Sequence, residues 1–168
     1  WMLTYEAAEV IVNSNFMKCE LQRLFGLPFE KIDVIPNGIS QTIYNGIEKD
    51  YEFRRRFARD NEKIILFTGR LVYEKGIQNL IAAMPKILNG YHDSKLIICG
   101  KGGMIDELRE QVNYLGINNK VYFTGQMNRK DLCKMYKCAD IAVFPSTYEP
   151  FGIVALEAML SENPVVVS

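Results

Sequence analysis

Asp140-Ile-Ala-Val-Phe-Pro145-Ser-Thr-Tyr-Glu149-Pro-Phe-Gly152-Ile-Val-Ala-Leu-Glu157-Ala-Met-Leu160 reads as a strand, a turn and a helix in direct succession. The run from Ile141 to Phe144 is continuously apolar, which suits a strand covered on both faces. Pro145, Ser146 and Pro150 break any helix before Ile153. From Ile153 to Leu160 the apolar residues Val154, Ala155, Ala158 and Met159 fall at helical spacing with no breaker among them. The turn at Phe151-Gly152 therefore presents the backbone N–H groups of Gly152, Ile153 and Val154 at a helix N-terminus, a place that favours an anion such as a phosphate. Glu149 stands just outside that end, and Glu157 lies one to two turns into the helix. Taken alone, Glu149 could be an acid favoured by the helix dipole and Glu157 a solvated side chain. The proline-phenylalanine-glycine turn behind a buried strand argues for the paired reading. A phosphate site with one carboxylate on each side suits a phosphorylated polyol such as a nucleotide sugar.

The same grammar runs through the rest of the chain. Candidate strands are Val10–Ser14, Ile32–Ile35, Lys63–Thr68, Lys95–Cys99, Lys120–Thr124, Asp140–Phe144 and Val165–Val167. Helical patterns occupy Phe16–Phe25, Lys49–Arg59, Ile77–Leu88, Met104–Leu115, Arg129–Lys137 and Ile153–Leu160. Ser14-Asn15 and Asn128 are N-cap candidates, Gly26 is a C-cap, and Asn89-Gly90 should end the central helix. Strands alternating with helices specify an α/β fold, a Rossmann-like parallel sheet with helices on both faces.

A chain of 168 residues that is 48% apolar can bury one sizeable core. Basic and acidic residues balance at 20 each, so no global charge points to nucleic acid or an anionic membrane. The run Arg54-Arg-Arg56 has Glu48, Asp50 and Glu52 nearby and reads as a solvated helix face. No apolar run approaches the roughly 20 residues of a membrane span, and no signal-peptide layout is present. A soluble protein of the cytoplasm is expected. Cys19, Cys99, Cys133 and Cys138 form no CxxC pair, and His92 is the one histidine, so zinc has little support and buried reduced thiols are expected. The chain opens at Trp1 inside an apparent helix running to Glu9 and stops after the strand ending at Val167, so a fragment of a longer protein is expected.

Several loops at strand ends carry chemistry. Gly69-Arg70 follows a buried strand and leads through Lys75-Gly76 into a helix; ligands of open α/β sheets bind outside such strand ends. Two cations there could hold a diphosphate without metal, although a solvated loop would also carry them. Gly100-Lys101-Gly102-Gly103 follows another buried strand, but Ile105 replaces the third glycine of a dinucleotide fingerprint, which departs from a dehydrogenase. Its glycines line a nucleotide pocket or form a plain turn. Gln126 and Met127 follow the next strand on the same rim, and Asn37-Gly38 after Pro36 forms a turn. There is no Asp-x-Asp pair, Walker A loop, Gly-x-Ser-x-Gly or Cys/His dyad.

The E-x7-E stretch resembles the signature of family 4 retaining glycosyltransferases, the GT-B group that includes glycogen and starch synthases. Its companions are Pro36-Asn37-Gly38-Ile39, Phe67-Thr68-Gly69-Arg70-Leu71 with Glu74-Lys75-Gly76, Gly100-Lys101-Gly102, and Val121-Tyr122-Phe123-Thr124-Gly125. The resemblance covers nearly the whole chain. It implies a remnant of the N-terminal domain over residues 1–30 and a C-terminal donor-binding domain over 31–168, truncated at its end. It implies transfer of a hexosyl unit from a nucleotide diphosphate sugar, such as ADP- or UDP-glucose, to a carbohydrate or other hydroxyl. Arg70 and Lys75 would neutralise the leaving diphosphate with help from N–H groups at Gly152, Ile153 and Val154. Glu149 would hold sugar hydroxyls and Glu157 the ribose. Asn37, Gly38, Gly69, Gly100, Gly102, Gln126, Met127 and Phe151 would complete the donor site, with no metal or other cofactor. The acceptor would sit on the missing N-terminal domain, leaving this chain without turnover on its own. The other readings are a nucleotide-binding module acting through a partner, and a GT-B epimerase or phosphorylase.

Overall fold

The computed structural model describes residues 6–44 and 46–168. The expected N-terminal helix falls mostly on residues 1–5, outside the described residues, and residues 7–9 are not helical. The chain divides into two compact units: residues 1–39 with 149–153, and residues 40–148 with 154–168.

In the smaller unit, β1 (Val10–Val12) pairs in parallel with β2 (Ile32–Val34) across α1 (Asn15–Phe25). Ser14 caps α1 by accepting from the Met17 N–H at 3.2 Å, and its hydroxyl donates to the Pro150 carbonyl at 3.0 Å. Gly26 closes the helix in the left-handed conformation, its N–H on the Gln22 carbonyl. Val12, Leu27 and Ile32 form the buried cluster of this unit. This compact unit runs on to Ile39, because β2 buries Ile32 against β1 and the α1–β2 loop.

The larger unit is built on five parallel strands: β3 (Lys63–Thr68), β4 (Ser94–Cys99), β5 (Val121–Gly125), β6 (Ile141–Phe144) and β7 (Val165–Val167). Their order is β5-β4-β3-β6-β7, so the connection from β5 to β6 passes back across β3 and the order reverses beside it. The helices are α2 (Tyr51–Arg55), α3 (Ile77–Gly90), α4 (Ile105–Tyr114), α5 (Arg129–Cys138) and α6 (Ile153–Leu160). On one face of the sheet Ile65, Phe67, Leu96 and Ile98 pack with Leu80, Ile81 and Met84 of α3 and Leu108 and Val112 of α4. Each such fully buried side chain contributes about 1.5–3 kcal/mol. The alternate residues Ile64, Leu66 and Ile97 are also buried, and Thr68 meets Tyr136 of α5 at 2.6 Å, so helices cover both faces. This is an α/β, Rossmann-like sheet.

Two expectations are corrected. The helix expected over Lys49–Arg59 stops at Arg55, and Arg54 is buried rather than solvated. Its guanidinium turns back onto the carbonyls of Arg59 and Glu62 and onto Asp140, while the backbone beyond Arg55 goes on only in turns, with Phe57 N–H on the Arg54 carbonyl. The central helix α3 does end at Asn89-Gly90, two residues beyond the expected Leu88. Cys99, Cys133 and Cys138 are buried free thiols as expected, whereas Cys19 is exposed.

Past the strand ends the ladder continues into the loops. Gly69 N–H donates to the Cys99 carbonyl, Leu71 N–H to the Lys101 carbonyl and Gly100 N–H to the Gly125 carbonyl, each within 2.9–3.0 Å. The loops after β3 and β4 therefore touch backbone to backbone. A Cβ on Gly100 or Gly102 would collide with the Gly69 or Leu71 carbonyl oxygen.

Candidate donor cleft

The reversal of strand order opens a cleft of about 320 Å³ at the carboxyl ends of β3, β4 and β5. Thr68, Gly69 and Arg70 line it from β3, Cys99, Gly100 and Lys101 from β4, and Gln126 and Met127 from β5. Leu132 of α5 and Val154 and Glu157 of α6 close the far wall. The residues sit here because glycines allow the β3 and β4 loops to pass in contact while Arg70 and Lys101 project from between them. Both cations are exposed and neither has an acidic partner among the described residues.

Glu157 is buried in the wall at 6% exposure. Its Oε1 lies 3.1 Å from Arg129 Nη1, and its Oε2 accepts from the Tyr136 hydroxyl at 3.2 Å. Tyr136 in turn meets Thr68 Oγ1. Burial, then the charge of Glu157, raises both the Tyr44 and Tyr136 phenols above their ordinary value, against the Thr68 hydrogen bond that lowers Tyr136. Tyr136 therefore stays protonated and donates. The Arg129 guanidinium lies 5.9 Å over the Tyr44 ring, and Tyr44 packs edge-on against Tyr136. Burial also pushes the Cys99 thiol up to about 11, so at neutral pH it lines the cleft as a protonated, inert group beside Met127.

Of the residues singled out from sequence, Gly69, Arg70, Gly100, Gln126, Met127, Val154 and Glu157 come together in this cleft. Lys75 and Gly102 do not line it. Lys75 ends a 3-10 turn after β3, and Gly102 has its missing side chain demanded by Leu71. Asn37, Gly38, Glu149, Phe151, Gly152 and Ile153 belong to the smaller unit. There Asn37 and Pro150 line a separate depression, and Gly152 takes a left-handed turn (φ 84°) that a glycine accommodates. Sequence reasoning missed Thr68, Cys99, Lys101, Leu132 and Arg129. Lys101 was signalled by its place between two glycines at a strand end. Arg129 had no such signal, since its partner lies on another helix.

A family profile, Glycosyl transferases group 1, matches residues 48–168 of the chain. The chain belongs to the group 1 glycosyl transferases. A second profile, Glycosyltransferase Family 4, matches residues 1–42. An uncharacterized glycosyltransferase of Methanocaldococcus jannaschii is 48% identical over the whole chain, which spans 44% of that protein. Glycogen synthase of Mycobacterium tuberculosis is 36% identical over 99% of the chain, which spans 38% of that enzyme. Anabaena HepE, solved with UDP and glucose, superposes with a TM-score of 0.85 at 27% identity, covering 99% of this chain and 46% of HepE. The chain thus spans less than half of these relatives, and it corresponds to the C-terminal domain of a GT-B glycosyltransferase. Among the described residues of this group 1 chain, no helix is long and apolar enough to cross a membrane. Nor do the described residues hold a cluster of three or more His, Cys, Asp or Glu suited to a metal ion.

Proposed function

We propose that this chain is the donor-binding part of a retaining glycosyltransferase that moves a hexosyl unit from a nucleotide diphosphate sugar to a carbohydrate or other hydroxyl acceptor. The observation that carries the reading is the cleft at the strand-order reversal, lined by Arg70 and Lys101, which have no acidic partner among the described residues, together with Glu157 and a glycine-rich rim. HepE, which shares the fold at 27% identity, was solved with UDP and glucose, and this supports a nucleotide sugar as the ligand class. HepE was also solved with UDP-glucose, which supports a nucleoside diphosphate glucose such as UDP- or ADP-glucose as the donor. In this reading the bond between the anomeric carbon and the diphosphate oxygen breaks, the acceptor oxygen bonds to the same face of that carbon, and the acceptor proton passes to the departing diphosphate oxygen. Arg70 and Lys75 neutralise the departing diphosphate, joined by Lys101 and by N–H groups at the start of α6. Glu149 holds the sugar and Glu157 the ribose. The charge is met by side chains and backbone, so the reading needs no metal. Residues 1–30 are a remnant of the N-terminal domain that supplies the acceptor site, so the chain alone binds a nucleoside diphosphate and transfers nothing.

Arg70→Ala should weaken UDP or ADP binding by about 2 kcal/mol, the scale of a hydrogen bond to a charged group, and leave the nucleoside unaffected. Calorimetry with the diphosphates and with uridine or adenosine measures both. Equal affinity of variant and parent for the diphosphate would remove Arg70 from the site.

The two carboxylates should separate by ligand. Glu157→Gln should weaken nucleoside diphosphate and nucleotide sugar alike by about 1–2 kcal/mol, because both contain ribose. Glu149→Gln should spare the diphosphate and weaken the nucleotide sugar alone. Identical ligand profiles for the two variants would overturn the division of labour.

A further inference from the structure

Glu157 does not stand alone in the cleft wall. Its two oxygens are held from two directions, Oε1 by Arg129 at 3.1 Å and Oε2 by the Tyr136 hydroxyl at 3.2 Å. Tyr136 is itself fixed by Thr68 at the end of β3, and Arg129 lies across the face of the buried Tyr44 ring. A carboxylate offers about four acceptor directions, so each oxygen keeps one for a ligand. Arg129 and Tyr136 fix the carboxylate from two sides, and Glu157 still lines the cleft, where a pair of vicinal hydroxyls can reach it. We propose that Arg129 is a positioning residue that holds the Glu157 carboxylate for the two ribose hydroxyls and so makes the cleft select ribonucleotides over 2′-deoxyribonucleotides. This rests on the donor-site reading above.

Arg129 stays half exposed, with 52% of its side chain accessible, so truncating it opens no cavity in the core, while the buried Glu157 loses its counter-charge and the variant should melt lower than the parent. Without it, Glu157 keeps the Tyr136 hydroxyl and the neighbouring Tyr44 phenol, but its Oε1 loses its charge partner. The ribose then meets a carboxylate that must be reordered on binding, and the cost falls on the ligand that uses both hydroxyls.

The test measures binding of UDP, 2′-deoxy-UDP, ADP and 2′-deoxy-ADP to this chain by calorimetry, in the parent, Arg129→Ala and Arg129→Lys. In the parent, the ribonucleotide of the accepted base should bind roughly tenfold more tightly than its 2′-deoxy form. Arg129→Ala should bring that ratio to about one while changing the 2′-deoxy affinity less than about twofold, and Arg129→Lys should restore part of the ratio. A thermal melt of each variant separates loss of fold from loss of selection. An unchanged ratio in Arg129→Ala overturns the positioning role and leaves the donor reading standing. Tighter ribonucleotide binding by Arg129→Ala also overturns it, since Arg129 would then compete with the ribose. A parent that binds none of the four nucleotides defeats the donor reading itself, and this inference with it.

Discussion

Gly102→Ala should unfold much of the stability of this chain, by about 4 kcal/mol or more, while Gly103→Ala next to it should cost well under about 1 kcal/mol. A Cβ on Gly102 would lie 2.6 Å from the carbonyl carbon and 2.7 Å from the nitrogen of Leu71, with the Leu71 oxygen nearer still. All three are backbone atoms, so no rotamer change relieves the clash. They are also pinned, because Leu71 N–H donates to the Lys101 carbonyl and the Leu71 carbonyl accepts from Met104 N–H. A Cβ on Gly103 would meet nothing within 4 Å. Denaturant unfolding of the two variants measures the difference, and the first should melt roughly 10 °C lower than the second. If Gly102 served mainly as a point of close ligand approach, its alanine variant would keep parental stability and lose only nucleotide affinity. That result would show the loops after β3 and β4 to be separable.

The second large effect lies at the opposite end of the sheet. Asp140→Ala should destabilise the chain by about 3 kcal/mol at neutral pH, because it leaves the guanidinium of Arg54 buried without a counter-charge. Arg54 is 4% exposed and lies 3.2 Å from Asp140, which also accepts from the Ile64 N–H at 2.9 Å. Burial alone would raise the Asp140 carboxyl, but the Ile64 N–H, Arg54 and Lys63 outweigh it and hold the group below its ordinary value. A carboxyl depressed on folding stabilises the native state above its unfolded value, near about pH 4, and loses that contribution as pH falls through the lower folded value. Parent and variant stabilities should therefore converge in acid and stand apart at neutral pH. A gap that stays constant from neutral pH down to about pH 2 would mean that packing, not the ion pair, carries the effect.

Much of the scaffold was legible because its signals are local. The runs Ile64-Ile-Leu-Phe67 and Leu96-Ile-Ile-Cys99 are too continuously apolar for anything but doubly covered strands, and both became central strands. Ser14 and Asn128 cap their helices through their own side chains, which needs only three neighbouring residues. The glycine-bearing loops at strand ends gave Gly69, Arg70, Gly100, Gln126 and Met127 as one rim, since in a parallel sheet all such ends lie on one side.

What the sequence determined by itself was the alternation of strand and helix, the side of the sheet on which the glycine-bearing loops and their cleft gather, and the residues at each strand end. The tertiary structure alone decided which partners meet across long separations. Arg54 reads as one of three solvated arginines until the Glu62 carbonyl and Asp140 are brought against it. Gly102 reads as a ligand loop until the backbone of Leu71 arrives beside it. Glu157 reads as a lone carboxylate until α5 docks and delivers Arg129 and Tyr136 to its two oxygens. In each case the deciding contact is a desolvated polar or steric meeting between segments far apart in the chain, and no local periodicity or propensity encodes the register at which such segments pack.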